Sequence, residues 1–447
     1  MAALCVAGLC QEVLLLWGQP GLGIFLVAPA LTLVLALWLP RLEAVACVAL
    51  ALGVEAALHL HTGGTRYSDW LLHYELARNY GGLPNHALAS LIPGRTALFH
   101  QLAGALLAHA PGFEVFQVVS VLLNSLWLWP ATLLLKRANH AQPRGRLLAL
   151  ALGPFVLAYS VYTWPWGFSA FFVLTAVLLA MERSKIAAAG TGLALAGALL
   201  VHPGALGYVA GLGIFVLARG RHRLTTAVAA AAALLTSVPW VINVSGGDPG
   251  GLLRASVPAR QAVALPVWAL TRLLTAAASF FPAEAMPGDR AFAHLVIAIF
   301  VLTIPGALGL AFVALRHPPA VPGAARAAIL GGVVIGLLIY PPNNSLTGML
   351  DALYCGVVLV LVFAAAEADD RGVSRLLVLQ AAALALFLGC LFWVSNAPGP
   401  GDGNLVLKVA YGVSYIADSL GPLPGVLLAL AAAGAALMAR RRELSAG

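Results

Sequence analysis

The feature that most constrains this chain is its long, nearly uninterrupted apolar runs, with the charges gathered between them. Ala2–Gly18, Gly23–Leu39, Val115–Leu135, Phe168–Met181, Ile186–Val201 and Leu423–Met438 are examples. A helix of about 17–25 apolar residues spans the hydrocarbon core of a bilayer. Composition decides whether such runs could instead be core helices of a soluble protein. Only 9% of the 447 residues are charged, 61% are hydrophobic, and mean hydropathy is +0.93. Soluble domains carry about 25% charged residues. No water-soluble fold of this size has enough interior to hide so much apolar surface. The chain therefore reads as an all-α polytopic membrane protein, one transmembrane domain over residues 1–447. No Lys or Arg precedes the first apolar run, so that run reads as a span rather than a cleavable signal peptide.

The net charge of +8 might suggest nucleic acid, but the positions of the basic residues favour a membrane explanation. Short cytoplasmic loops collect Lys and Arg. Clusters occur at Arg41; at Lys136, Arg137, Arg144 and Arg146; at Arg183 and Lys185; and at Arg219, Arg221 and Arg223. Further clusters are Arg316 with Arg326, Arg371 with Arg375, and Arg440–Arg442. Placing all of them inside gives a consistent weave of about 11–14 spans. Three longer segments then fall outside: 61–114, 245–293 and 395–421. Within them, Thr96–Ala110 is short for a crossing and reads as a helix at the membrane interface, and Val263–Phe281 is treated the same way. The cysteines, Cys5, Cys10, Cys47, Cys355 and Cys390, all lie in apolar runs without a CxxC pair. They read as small core residues and give no disulfide framework or thiolate metal site.

The polar residues of the first external segment carry the most chemical information. That segment includes Ser68-Asp69-Trp70-Leu71-Leu72-His73-Tyr74-Glu75-Leu76-Ala77-Arg78-Asn79-Tyr80, in which Trp70–Tyr80 is the candidate helix. Helical spacing puts Asp69, His73 and Leu76 on one face. Two readings of Asp69 stand side by side. It can cap the helix, with Ser68 as the alternative cap, or its carboxylate can act as a general base at the membrane surface. Other external groups carry similar pairs of readings. His202-Pro203 ends a run, as a cap or a substrate contact. Trp164, in Tyr162-Thr163-Trp164-Pro165-Trp166, belongs to an interfacial aromatic belt or stacks on a sugar. Asn343 lies in Tyr340-Pro341-Pro342-Asn343-Asn344, shortly before Asp351. GxxxxGK[ST], HExxH and GxSxG are absent from the sequence, so nucleotide hydrolysis, zinc proteolysis and the serine-hydrolase elbow have no support.

These residues resemble the GT-C superfamily of membrane glycosyltransferases, in particular bacterial members similar to protein mannosyltransferases and aminoarabinose transferases. The resemblance rests on Ser68-Asp69-Trp70, on Tyr74-Glu75-Leu76-Ala77, and on Pro93-Gly94-Arg95-Thr96-Ala97-Leu98-Phe99, which is similar to the family's basic-proline stretch. It covers residues 42–245, and beyond them only the topology. The resemblance implies a polyprenyl-phosphate-linked sugar as donor and a lipid, glycan or protein hydroxyl as acceptor. It implies Asp69 as catalytic base at the external face of a bacterial inner membrane. His73, Tyr74, Glu75, His202, Trp164 and Asn343 are then substrate-binding candidates. Arg95, Arg254, Arg260 and Arg272 are candidates for the donor phosphate, because a guanidinium fork matches phosphate oxygens and negative charge grows on the leaving phosphate. The sequence departs from the pattern where Trp70 and Leu71 stand in place of a second acidic residue. That argues against an Asp-x-Asp metal site, and no metal or other cofactor is expected.

Two other classes compete. A transporter or flippase would place ionisable residues within spans; Glu12 and Glu55 do lie in such runs. A non-catalytic membrane scaffold would have little use for long charged external segments.

Overall fold

The computed structural model describes residues 1–38, 68–82, 98–138, 146–147, 150, 165–235, 238, 323–339 and 356–367. Among these residues the regular structure is helical, without strands. In chain order the helices are α1 (Ala2–Leu16), α2 (Ile24–Trp38), α3 (Ser68–Tyr80), α4 (Leu98–Leu107), α5 (Phe113–Ser125) and α6 (Leu128–Arg137). They continue with α7 (Trp166–Ala180), α8 (Lys185–Val201), α9 (Leu206–Arg219), α10 (Arg223–Leu235), α11 (Gly323–Ile339) and α12 (Gly356–Glu367). Most coincide with apolar runs of the sequence. Among the described residues, one segment qualifies by length and apolarity as a membrane crossing, Phe113–Arg137, which joins α5 to α6 over 25 residues at a mean hydropathy of 1.8. The other apolar helices found by that measure are 10–17 residues long.

Local chemistry explains several helix ends. Ser184 precedes α8, and its side chain accepts the Ala187 N–H at 3.0 Å, as an N-cap does. The start of α7 is held from another helix: the Phe168 N–H donates to Asn124 Oδ1 at 3.1 Å. Pro203 follows α8 and opens a short 3-10 turn into α9, because proline lacks the N–H that would prolong the helix.

Glycine permits the closest helix contacts. A Cβ on Gly331 would lie 2.5 Å from the Gly207 oxygen and 2.6 Å from Gly211 Cα. The backbones of α9 and α11 therefore touch, which small residues allow where helices pack without water. Near the other end of this pair, Gly323 faces the Phe215 ring, so α9 and α11 run antiparallel.

The same reasoning orders the rest. Arg137 at the end of α6 pairs with Glu182 just beyond α7. Buried Arg146 donates to the Ala365 carbonyl near the end of α12 at 2.7 Å, whereas the start of α12, at Gly356, meets the Tyr208 hydroxyl near the start of α9. Arg137, Arg146, Arg183, Lys185 and Arg219–Arg223 thus collect toward one end of the helices, with Arg326 one turn further in. At the opposite end lie the starts of α7 and α9, the end of α8, and α4, whose Phe99 ring is 6.4 Å from that of Phe168.

One expectation is corrected here. The stretch read as an interfacial helix, Thr96–Ala110, is described as α4 from Leu98, and nine of its ten residues, Leu98 through Ala105 and Leu107, are buried. An interfacial helix keeps a polar face toward water. This one is enclosed by protein, packed against α1, α2, α3, α5 and α8. The other stretch read in that way, Val263–Phe281, lies outside the described residues.

Candidate functional site

Helix α3 carries the residues with most chemical potential. Asp69 lies in its first turn, one turn before His73 and on the same face of the helix. Further along the helix, His73 and Leu76 are both buried. The helix meets α4 closely: a Cβ on Gly104 would lie 2.5 Å from Tyr80 Cβ and 2.6 Å from the Ala77 oxygen.

In this contact His73 Nδ1 and His100 Nε2 lie 2.7 Å apart. Their ring planes differ by 8° and their centroids are 5.0 Å apart. That separation is what two imidazoles have when joined edge to edge through their ring nitrogens, so the pair is a near-coplanar N–H···N hydrogen bond rather than a face-to-face stack. One ring donates and the other accepts, and the tautomer decides which. The bond tolerates one added proton and fails at the second, when both nitrogens become donors. His73 and His100 are 3% and 2% exposed, so solvent does not replace a lost partner.

A second buried polar group adjoins on α4. Gln101 Nε2 donates to Glu12 Oε2 at 2.9 Å, and Glu12 is 1% exposed. The neighbouring Gln11 Nε2 donates to the Tyr80 carbonyl at 2.7 Å and the Pro20 carbonyl at 3.1 Å. These bonds tie α1 to the end of α3. His109 adds a further tie, its Nε2–H donating to the Gly21 carbonyl at 2.7 Å.

The outer face of α3 is organised differently. Glu75 and Arg78 form an ion pair at 3.0 Å, and the Arg78 guanidinium sits 5.6 Å from the centre of the Tyr74 ring. Tyr74 donates its hydroxyl to the Pro111 carbonyl and packs edge-on against Phe113 at 5.1 Å. Burial pushes the Tyr74 phenol up from its ordinary range, against the opposing pull of Arg78. Tyr74 and Glu75 are therefore engaged within the protein, with side chains that are only partly buried.

The structure brings together some of the residues predicted from sequence. His73, Tyr74 and Glu75 share α3 with Asp69. His202 lies at the end of α8, where its Nδ1 accepts the Gly204 N–H at 3.0 Å, which is a corner-forming role. Arg95, Arg254, Arg260, Arg272, Trp164 and Asn343 lie outside the described residues, as do the segments 245–293 and 395–421. Sequence reasoning left His100, Gln101 and Gln11 out of the site. The available signal was several amide and imidazole groups within otherwise apolar stretches, since polar groups in such stretches tend to face partners. Among the described residues no three His, Cys, Asp or Glu side chains converge as metal ligands do.

No protein-family model matches the chain, and no curated protein or solved structure is significantly similar to it.

Proposed function

We propose that the chain is a multi-pass membrane glycosyltransferase of GT-C type, moving a sugar from a polyprenyl phosphate to an acceptor hydroxyl with inversion. The observation that carries this reading is the anchoring of α3. Asp69 lies one turn from His73, whose bond to His100 fixes this helix against α4, at the end away from the basic clusters. A base needs such a rigid support, because small misplacements cost rate.

In this reaction the Asp69 carboxylate accepts the acceptor's hydroxyl proton as the oxygen attacks the anomeric carbon. The bond from that carbon to the phosphate oxygen breaks, and the lipid phosphate leaves with the electron pair. Arg95, Arg254, Arg260 and Arg272 are the proposed cations for that phosphate. The basic end of the helices faces the cytoplasm and the α3–α4 end faces outward, in keeping with the usual inside bias of Lys and Arg.

The test uses purified protein, a radiolabelled polyprenyl-phosphate sugar and candidate lipid, glycan or protein acceptors. The expected result is label transfer that continues in EDTA and is lost in Asp69→Asn. Failure of every donor and acceptor combination in folded wild-type protein sinks the reading.

A second reading, transport of a lipid-linked or small polar substrate, is favoured by one observation. Glu12 and the two histidines are buried ionisable groups in an apolar helix assembly, as proton-coupled carriers have. Reconstituted liposomes separate the two. Transport predicts substrate flux that depends on Glu12 and is indifferent to Asp69.

A further inference from the structure

The basic end of the helices contains a cavity of about 380 Å³ between the α7–α8 loop and the α9–α10 loop. Arg183, Arg219, Arg221 and His222 line it, together with Glu182 and Thr226. Glu182 is paired with Arg137 outside the lining, which offsets its charge and leaves the cavity cationic. Thr226 supplies an independent sign of a missing partner. It is 3% exposed, it borders this cavity, and its hydroxyl oxygen is buried without a hydrogen-bond partner. A buried hydroxyl left alone costs free energy. Thr226 also closes the first turn of α10, its own N–H donating to the His222 carbonyl at 3.1 Å, at the helix end whose dipole favours an anion.

We propose that this cavity binds a phosphate group, with the Arg183, Arg219 and Arg221 guanidiniums as its cations and the Thr226 hydroxyl as a donor to one of its oxygens. Guanidinium forks fit phosphate oxygens, and basic recesses between membrane helices on the cytoplasmic side take acidic headgroups. The phosphate has two sources, an acidic phospholipid or a free inorganic ion. The exposed apolar side chains Leu217, Leu224 and Val228, on the two helices that flank the cavity, would accept acyl chains. This site stands apart from the proposed transfer chemistry.

The experiment compares wild type with Thr226→Val, and with an Arg219→Gln/Arg221→Gln pair. Each is reconstituted in nanodiscs of phosphatidylcholine containing a small share of phosphatidylglycerol, and lipid retained on release is counted by native mass spectrometry. In parallel, inorganic phosphate is titrated into detergent-solubilised protein and thermal stability is followed. Enrichment of phosphatidylglycerol on wild type, weakened about tenfold or more in the arginine pair and several-fold in Thr226→Val, supports the lipid source. Stabilisation by millimolar phosphate that the same variants lose, without lipid enrichment, supports the free ion. Thr226→Ser retains the hydroxyl and is expected to bind like wild type, which separates loss of the donor from loss of fold. No enrichment and no phosphate effect in wild type overturns the site, as does unchanged binding in both folded variants.

Discussion

Around α3 and α4 the side chains of His73, His100 and Glu12 turn inward, whereas at the basic end of the helix assembly the ionisable side chains, buried Arg146 excepted, turn mostly outward. His73, His100 and Glu12 are each 3% exposed or less, and each meets a polar side chain within the helix packing. At the other end Arg137 and Glu182 retain 42% and 45% of their side-chain exposure, and Arg183, Arg219 and Arg221 border an open cavity. The residue types suit the placement. Imidazole and carboxylic acid can become neutral and so can be enclosed at a tolerable cost, while guanidinium stays charged and must keep water, a counter-ion or a ligand. The buried end therefore trades solvation for fixed geometry. The open end keeps charge available to whatever approaches it.

The largest expected effect concerns the geometry of the buried end. Asp69→Asn preserves size and helix and removes proton acceptance. Transfer from the polyprenyl-phosphate sugar should fall about 10²–10⁴-fold, while donor binding and thermal stability stay at wild-type values. A cap would behave otherwise, because asparagine caps about as well as aspartate. Turnover near that of wild type would leave α3 a structural helix and remove the base.

The next effect tests how tightly that end is packed. Gly104→Leu forces a side chain into the space held by Tyr80 Cβ and the Ala77 carbonyl. Overpacking of this kind costs about 1–3 kcal/mol, and should lower the midpoint of thermal unfolding measured in detergent. Gly213→Ala is the contrast, since nothing lies within 4 Å of a Cβ there. That change should be neutral or slightly stabilising, by at most about 1 kcal/mol. Equal behaviour of the two variants would mean that α3 and α4 do not touch as described.

Much of this fold is legible in the sequence. The apolar runs Ile186–Val201 and Gly204–Ala218 mark α8 and α9 to within a few residues, because helix ends coincide with Ser184, Pro203 and the basic loops. The gathering of Arg137, Arg183 and Arg219–Arg223 at one end was also readable, from the alternation of apolar runs and basic clusters. The burial of α4 was not. Its composition, apolar with His100, Gln101 and His109, suits an interface as well as an interior, and only the partners supplied by α1 and α3 decide between them. The His73–His100 bond joins residues 27 apart on two different helices, and no local pattern announces such a pair. Position 69 was readable as a chemical candidate, but the arginines that would complete its site fall outside the described residues.

A smaller effect measures the coupling between the two histidines. His73→Leu or His100→Leu deprives the other, buried imidazole of this hydrogen bond, at a cost of about 1–3 kcal/mol. Removing both takes away this bond together with both of its ends, so the double variant should lose clearly less than the sum of the singles. A double-mutant cycle on unfolding free energy reads this as a favourable interaction between the positions. Strict additivity would show that the 2.7 Å approach contributes no bond.

The smallest effect belongs to the open end. Arg137→Gln removes the ion pair with Glu182, two side chains that retain 42% and 45% exposure. Water already solvates both charges, and ordering two long side chains costs entropy, so exposed pairs contribute only about 0.2–1 kcal/mol. The loss should shrink further as salt is raised, because exposed charges are screened over roughly 8–10 Å at physiological ionic strength. The His73→Leu loss should vary less with salt, since that ring is 3% exposed and screening acts mainly on exposed charges. Unfolding midpoints of Arg137→Gln and His73→Leu in low and high salt therefore contrast the two ends directly. A large, salt-independent loss for Arg137→Gln would mean that the pair is enclosed, and that the two ends do not differ in the way their exposures imply.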